Sequence, residues 1–353
     1  MSGRKQHFIP QSLLRGFGVK RGKSTYVVAY THDHGIFTSA TDGIAAEHHF
    51  YSELAVEGDE TLDDRITKHE SPLAMLLARL RALNDGDCVD PQEAAAFVTH
   101  LVVRNDHFRK AVSSASGRMV DQLSAQLEDG TSASALIGLA GDHPQGLFAE
   151  QLKVAFDTYQ PQINMLGMDR ATFERWAFDA AKADFDTMHN QSIRPLSKAV
   201  AAMVDILSET AANAQRKVLI DDLAPATRLE AYAELTWHVI YPRLPLILPD
   251  CVAIGLASNG DCLPLMIIDR EHLSTVIMPI AYDRLLVGMG DGSVQIPDGL
   301  NSIMAGCSWD FFVARHRTQD LEELRGSLRS LIEPHIDGIV DGVVADGLAI
   351  PKT

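Results

Sequence analysis

Between about residues 58 and 242 apolar side chains recur at helical spacing, whereas both flanks carry short β-type runs, and this change of texture constrains the fold more than any single motif. On the N-terminal side, "STYVVAYT" and "GIFTSAT" read as two strands of a hairpin around the turn "HDHG". The middle opens with "DETLDDRITKHESPLAMLLARLRAL", acids early and arginines late, as the helix dipole prefers. Asp90 as N-cap and Pro91 at the first helical position then start "DPQEAAAFVTHLVVRNDHFRKAV" as the next helix. Helical spacing continues through "ATRLEAYAELTWHVI", with no repeat period that would indicate a solenoid. From about residue 243, "LPLILPDCVAIGLA", "CLPLMIID", "STVIMPIA", "DRLLVGM" and "WDFFVARH" read as strands. A charged helix, "QDLEELRGSLRSLIEPHI", and a small-residue tail follow. The expectation is an α+β fold: an N-terminal segment 1–57, a helical body 58–242 and a β-rich part 243–353. If the β-rich ends share a sheet, residues 1–353 form one integrated domain.

A hydrophobic content of 46% with 22% charged residues is that of a globular protein and excludes a disordered chain. "MSGRKQHF" lacks the apolar run of a signal peptide, and prolines and Asp250 interrupt the longest apolar stretch, so no membrane partner is expected. Cys88, Cys251, Cys262 and Cys307 lie far apart without a Cys-x-x-Cys pair, which points to reduced thiols and a cytoplasmic location.

The net charge of −16 argues against broad coating of nucleic acid. Residues 1–24 nevertheless hold Arg4, Lys5, Arg15, Lys20, Arg21 and Lys23 and no acid, leaving −22 on the remainder. Such an arm either lies solvated on an acidic body or forms a local anion site, through which an anionic small molecule or a nucleic acid could bind.

Signatures of serine hydrolases, Walker loops, dinucleotide sites and zinc proteases are absent, and "VGMGDGS" reads as a turn. The candidates for chemistry are therefore dispersed. Gln6, His7 and Arg15 sit in "KQHFIPQSLLRGF", where Phe8, Ile9 and Pro10 hold the histidine by packing. His7 is either a general base or ligand, or a buried pin for the N-terminus. His32 with His34, and His48 with His49, are short metal-type spacings without further ligands. Glu70 lies in the first long helix, and His100, Arg104 and His107 recur at i, i+4 and i+7 as a polar stripe on the second. An arginine beside an apolar seam pairs with a carboxylate such as Glu70 or with a phosphate.

In combination these residues resemble a known pattern. "QHFIPQSLLRGF" is similar to the opening Gln-His-Tyr/Phe-Val/Ile-Pro-x-x-x-Leu-x-x-Phe of a widespread bacterial family, domain of unknown function 4238. "HHFY" resembles its Asn-x-Phe-Tyr step, with histidine in place of asparagine. "ITKHESPLAMLL" places Glu70 on the family glutamate, and "FVTHLVVRNDHFR" places Arg104 on the family arginine. "LPLILPDCVAI" places Asp250 on its Ser-Asp-Asn-Pro strand with altered neighbours, and later segments match at Pro279 and Asn301. The resemblance implies that His7, Glu70, Arg104 and Asp250 assemble into one site. Such a set suits hydrolysis of a phosphoester or other anionic substrate, including nuclease chemistry, with Mg²⁺ or Mn²⁺ as a reasonable cofactor. The alternative is a non-enzymatic binding or regulatory protein, in which a His/Glu/Arg network holds the N-terminus to the body.

Overall fold

The structure is a computed structural model that describes residues 5–48, 55–57, 60–290 and 296–348. It is α+β, with strands in the N- and C-terminal parts and helices between them. By internal packing the chain divides into two compact units, residues 1–111 with 211–335 and residues 112–210 with 336–353.

The first unit holds both β-rich ends. Its N-terminal strands are β1 (Lys5–His7), β2 (Val19–Arg21), β3 (Ser24–Thr31), β4 (Gly35–Ala40) and β5 (Ala46–His48). The expected hairpin is β3 with β4, antiparallel, and Gly35 at φ 77° supplies the left-handed residue of its turn. The two ends do share a sheet: Val28–Thr31 of β3 pairs with strand Phe311–Ala314, which pairs in turn with Leu248–Pro249. A second sheet runs in the order Cys262–Pro264, Ile254–Ala257, Leu273–Ala281, Arg284–Met289, Thr236–Ile240, Cys88–Val89. Thr236–Ile240 corrects the helical reading of "ATRLEAYAELTWHVI": the helix is Ala226–Ala233, and the β-branched and aromatic residues after it pair with Arg284–Met289.

Four helices position the N-terminal segment: α1 (Gln11–Leu14), α2 (Leu62–Ala82), α3 (Pro91–Arg104) and α4 (His107–Glu128). The Thr61 side chain and Asp64 form a capping box at the start of α2. Asp90 caps α3 by accepting from the Glu93 amide at 3.0 Å, with Pro91 at the first turn as expected. Beyond its exposed first turn α3 sinks into the core, and every residue from Phe97 to Arg104 is buried, Thr99, His100 and Arg104 included, which makes it the central helix of this unit.

The N-terminal segment is threaded into this core. Ile9, Leu13, Leu14 and Phe17 have no exposed surface. Arg81, at the end of α2, donates to the carbonyls of Ser12, Leu13 and Ile280, taking up carbonyls that a short helix leaves without partners. Burial lowers its pKa to about 10, so it stays charged. Gly16 makes this approach feasible, since a Cβ there would lie 2.3 Å from the Arg81 guanidinium and 2.9 Å from the Ile280 carbonyl.

The second unit is helical, built from the later part of α4 with Gly130–Ile137, Gly146–Met165, Arg170–Ala183 and Arg194–Ala201 around Leu127, Ala133, Leu139, Phe178, Phe185 and Ile193. The charged closing helix of the sequence reading is not continuous. It breaks into Gln319–Leu324 and Ile332–Leu348, with Arg329 between them at φ 68°. The break is fixed by Arg329, whose amide donates to the Ser308 carbonyl and whose Nε donates to the Trp309 carbonyl. The expected small-residue tail belongs to the second of these helices as far as Leu348. No helix among the described residues is long and apolar enough to cross a membrane.

Candidate functional site

His7 ends β1, where it pairs in register with Ala46, and Pro10 turns the chain into α1. The apolar residues of this stretch face the core, which leaves His7, Gln11 and Arg15 aligned at i, i+4 and i+8. The Gln11 side-chain amide donates to His7 Nε2 at 3.1 Å, and Arg15 donates to Gln11 Oε1 at 3.1 Å. An amide nitrogen can only donate, so Nε2 accepts and the ring is neutral in this arrangement. Burial pushes the His7 pKa below its ordinary value and Arg104 adds to this, while Glu70 and the carbonyls of Ile44 and Ala45 oppose it.

Behind His7 lies Arg104, on the last turn of α3 and only 3% exposed. One guanidinium nitrogen donates to the Glu70 carboxylate and another to the His7 carbonyl. Glu70 comes from α2 and keeps a side chain about one-third exposed. Thus His7, Glu70 and Arg104 converge from three separate parts of the chain. His7, Gln11, Arg15 and Glu70 line an open pocket of about 310 Å³, together with the hydroxyl-bearing Thr67 and Ser71. Gln6 is buried and paired across β1 and β5 with Glu47, away from the residues that line this pocket.

Asp250 belongs to a neighbouring, closed network. Its carboxylate accepts from the amides of Trp309 at 2.9 Å, Asp310 at 2.5 Å and Phe311 at 3.1 Å, and its carbonyl accepts from the Asn105 side chain. Burial nevertheless raises its pKa to about 6. Asp106 is also raised to about 6 by burial, and Lys110 bridges Asp106 and Asp310. Burial works against the charge of Lys110, but the two carboxylates outweigh it and raise its pKa. His107 Nε2 donates to the Cys307 carbonyl at 2.8 Å and lies 3.9 Å from the Asp250 carboxylate, beyond hydrogen-bond distance. Burial lowers it to about 4, so it is neutral.

The polar stripe expected over His100, Arg104 and His107 is therefore divided. Helix α3 ends at Arg104, and Asn105 is extended, with its side chain accepting from the His107 amide at 2.7 Å to start α4. Gln215 donates to the carbonyls of Val103 and Asn105 that this break leaves open. Sequence reasoning missed Gln11, Asn105, Asp106 and Lys110. The i+4 spacing of Gln11 from both His7 and Arg15 was the legible signal for the first, and the Asn-Asp pair between two helical patterns was the signal for the break.

His32 and His34 lie in the β3–β4 turn, where His32 bonds the adjacent Asp33 at 2.6 Å. Strand β5 ends at His48, and His49, Phe50 and Tyr51 lie outside the described residues. Among the described residues no group of three or more His, Cys, Asp or Glu side chains is arranged to hold a metal ion.

One family description, protein of unknown function (DUF4238), matches residues 5–288. The match covers His7, Glu70, Arg104 and Asp250 and ends before Asn301 and Trp309. No curated protein and no solved structure matches the chain.

Proposed function

The chain belongs to the DUF4238 family, and from the geometry of its N-terminal pocket we propose that it is a hydrolase of phosphoesters, with His7 as the general base. The observation that carries this reading is the His7–Gln11–Arg15 ladder on the wall of an open pocket. It presents a neutral imidazole beside a cation that no described carboxylate pairs. In this mechanism an incoming phosphoester draws Arg15 to its oxygens, and Gln11 yields Nε2 to a water. His7 takes a proton from that water as its oxygen bonds to phosphorus. The P–O bond to the leaving group then breaks, and the imidazolium returns the proton to the departing oxygen. Arg104 and Glu70 act from behind, fixing the backbone that carries His7. The chain's four cysteines are all unbridged, which supports a reducing, cytoplasmic setting for this activity.

A second reading rests on the same Arg104. Its bonds to Glu70 and to the His7 carbonyl are also what a structural pin requires, and in that case the protein is a binding or regulatory module. The test is release of p-nitrophenolate from mono- and bis-p-nitrophenyl phosphate by the full chain and by His7→Gln. The hydrolase reading expects turnover that falls about 10²-fold or more in the variant. It also expects an acid limb centred below pH 6.5, because activity needs the unprotonated ring and the pKa of His7 is lowered. Equal rates in both proteins would overturn it in favour of the module.

A further inference from the structure

A second cleft, of about 550 Å³, adjoins the His7 pocket and shares Gln11 and Arg15 with it. The β2–β3 hairpin supplies its other cations, Lys20 from the strand and Lys23 from the turn that Gly22 makes at φ 61°. Arg15, Lys20 and Lys23 are all exposed, and no carboxylate of the described residues forms an ion pair with any of them. Arg15, Lys20 and Lys23 outnumber the one carboxylate of the lining, Asp42, and form no ion pair with it, so on a chain with a net charge of −16 their gathering in one concavity makes an anion subsite in need of an occupant.

The rest of the lining identifies what else the occupant carries. Ser24 and Thr25 bring hydroxyl-bearing side chains and Asp42 a carboxylate to the lining, and no aromatic ring of the described residues lines the cleft. Among the described residues of the cleft a nucleobase finds no face to stack on, and a nucleic-acid strand no row of aromatic platforms. A sugar would find what it needs: hydroxyls that donate and accept, and a carboxylate that accepts from its own hydroxyl groups.

We propose that the two pockets together bind a sugar bisphosphate. One phosphate seats on Lys20 and Lys23, the sugar hydroxyls meet Ser24, Thr25 and Asp42, and the second phosphoester lies between Arg15 and His7. This assignment rests on the hydrolase reading for the end at His7, whereas the distal phosphate subsite stands on the cleft alone.

The two claims separate in one experiment. Isothermal titration of the full-length His7→Gln protein with fructose 1,6-bisphosphate, glucose 6-phosphate, inorganic phosphate, AMP and a single-stranded RNA hexamer measures binding without turnover. The bisphosphate is expected to bind at least about tenfold more tightly than inorganic phosphate, and to lose at least about tenfold in the Lys20→Glu/Lys23→Glu variant. Both side chains are exposed on the hairpin, and unchanged circular dichroism would show that the fold is intact. Tighter binding of AMP or RNA than of the sugar phosphates would overturn the assignment, as would indifference to the two lysine substitutions. Binding of the bisphosphate without phosphate release by the unmodified chain would uphold the subsite and overturn the hydrolase reading. Release that ignores Lys20 and Lys23 would do the reverse.

Discussion

At the scale of single residues, the two acidic positions singled out by the sequence have different surroundings. Glu70 keeps a partly exposed carboxylate at an open pocket. Asp250 is 3% exposed, and its oxygens satisfy three consecutive backbone amides at residues 309–311. Buried donors stripped of their acceptor each cost on the order of 1–3 kcal/mol. Asp250→Ala is therefore expected to lower the unfolding free energy by about 3 kcal/mol or more, read as a shift of the urea midpoint. Asp250→Asn, which keeps one acceptor oxygen, should fall between this variant and the unmodified chain. An unchanged midpoint for both would mean that the amides find other partners and that Asp250 is held for a different reason. Its burial could not be read from the sequence, where the altered neighbours Pro249 and Cys251 are the only sign that the position is unusual.

At the scale of elements, what was legible is what local physics dictates. The β3–β4 hairpin follows from alternation and turn chemistry, and the starts of α2 and α3 follow from their caps. What was hidden depends on partners distant in sequence. Thr236–Ile240 is a strand because Arg284–Met289 lies beside it, and α3 ends at Arg104 because Asn105 and Gln215 take up the loose backbone groups. The docking of α1 is of the same kind. Its apolar residues show that it is buried, but not that Arg81 closes its carbonyl end or that Gly16 leaves room for this. Gly16→Ala forces a methyl group against that guanidinium and the Ile280 carbonyl, and overpacking of this kind costs about 1–3 kcal/mol. The variant should lose that much stability in urea and should also bind the sugar bisphosphate more weakly, since α1 carries Gln11 beside both pockets. Lost stability with unaltered binding would mean that α1 keeps its place without the Arg81 clamp.

At the scale of the molecule, the first unit buries ionisable groups whose pH responses oppose one another. His100 and His107 are lowered to about 3 and about 4 by burial, against 6.5 for an ordinary histidine. Unfolding would let them take up protons, so they destabilise the fold progressively as pH falls below 6.5. Asp106 and Asp250 are raised to about 6 by burial, against 3.8. The folded state then holds protons that the unfolded state has released, so acidification from about pH 6 to about pH 4 adds stability. His7 is lowered by burial as well, so three imidazoles oppose two carboxylates and the effects cancel only in part between about pH 6 and pH 4. Below that range Asp106 and Asp250 are protonated in both states, whereas His100 and the carboxylates of Asp33, Asp64 and Glu322, held below their ordinary values by side-chain hydrogen bonds, favour unfolding. The urea midpoint should accordingly decline gently from pH 6 to pH 4.5 and more steeply below pH 4. A steep fall beginning at pH 6.5 would show that Asp106 and Asp250 remain ionised throughout. In that case Lys110 and the three amides of residues 309–311, rather than protons, would be what balances the buried carboxylates.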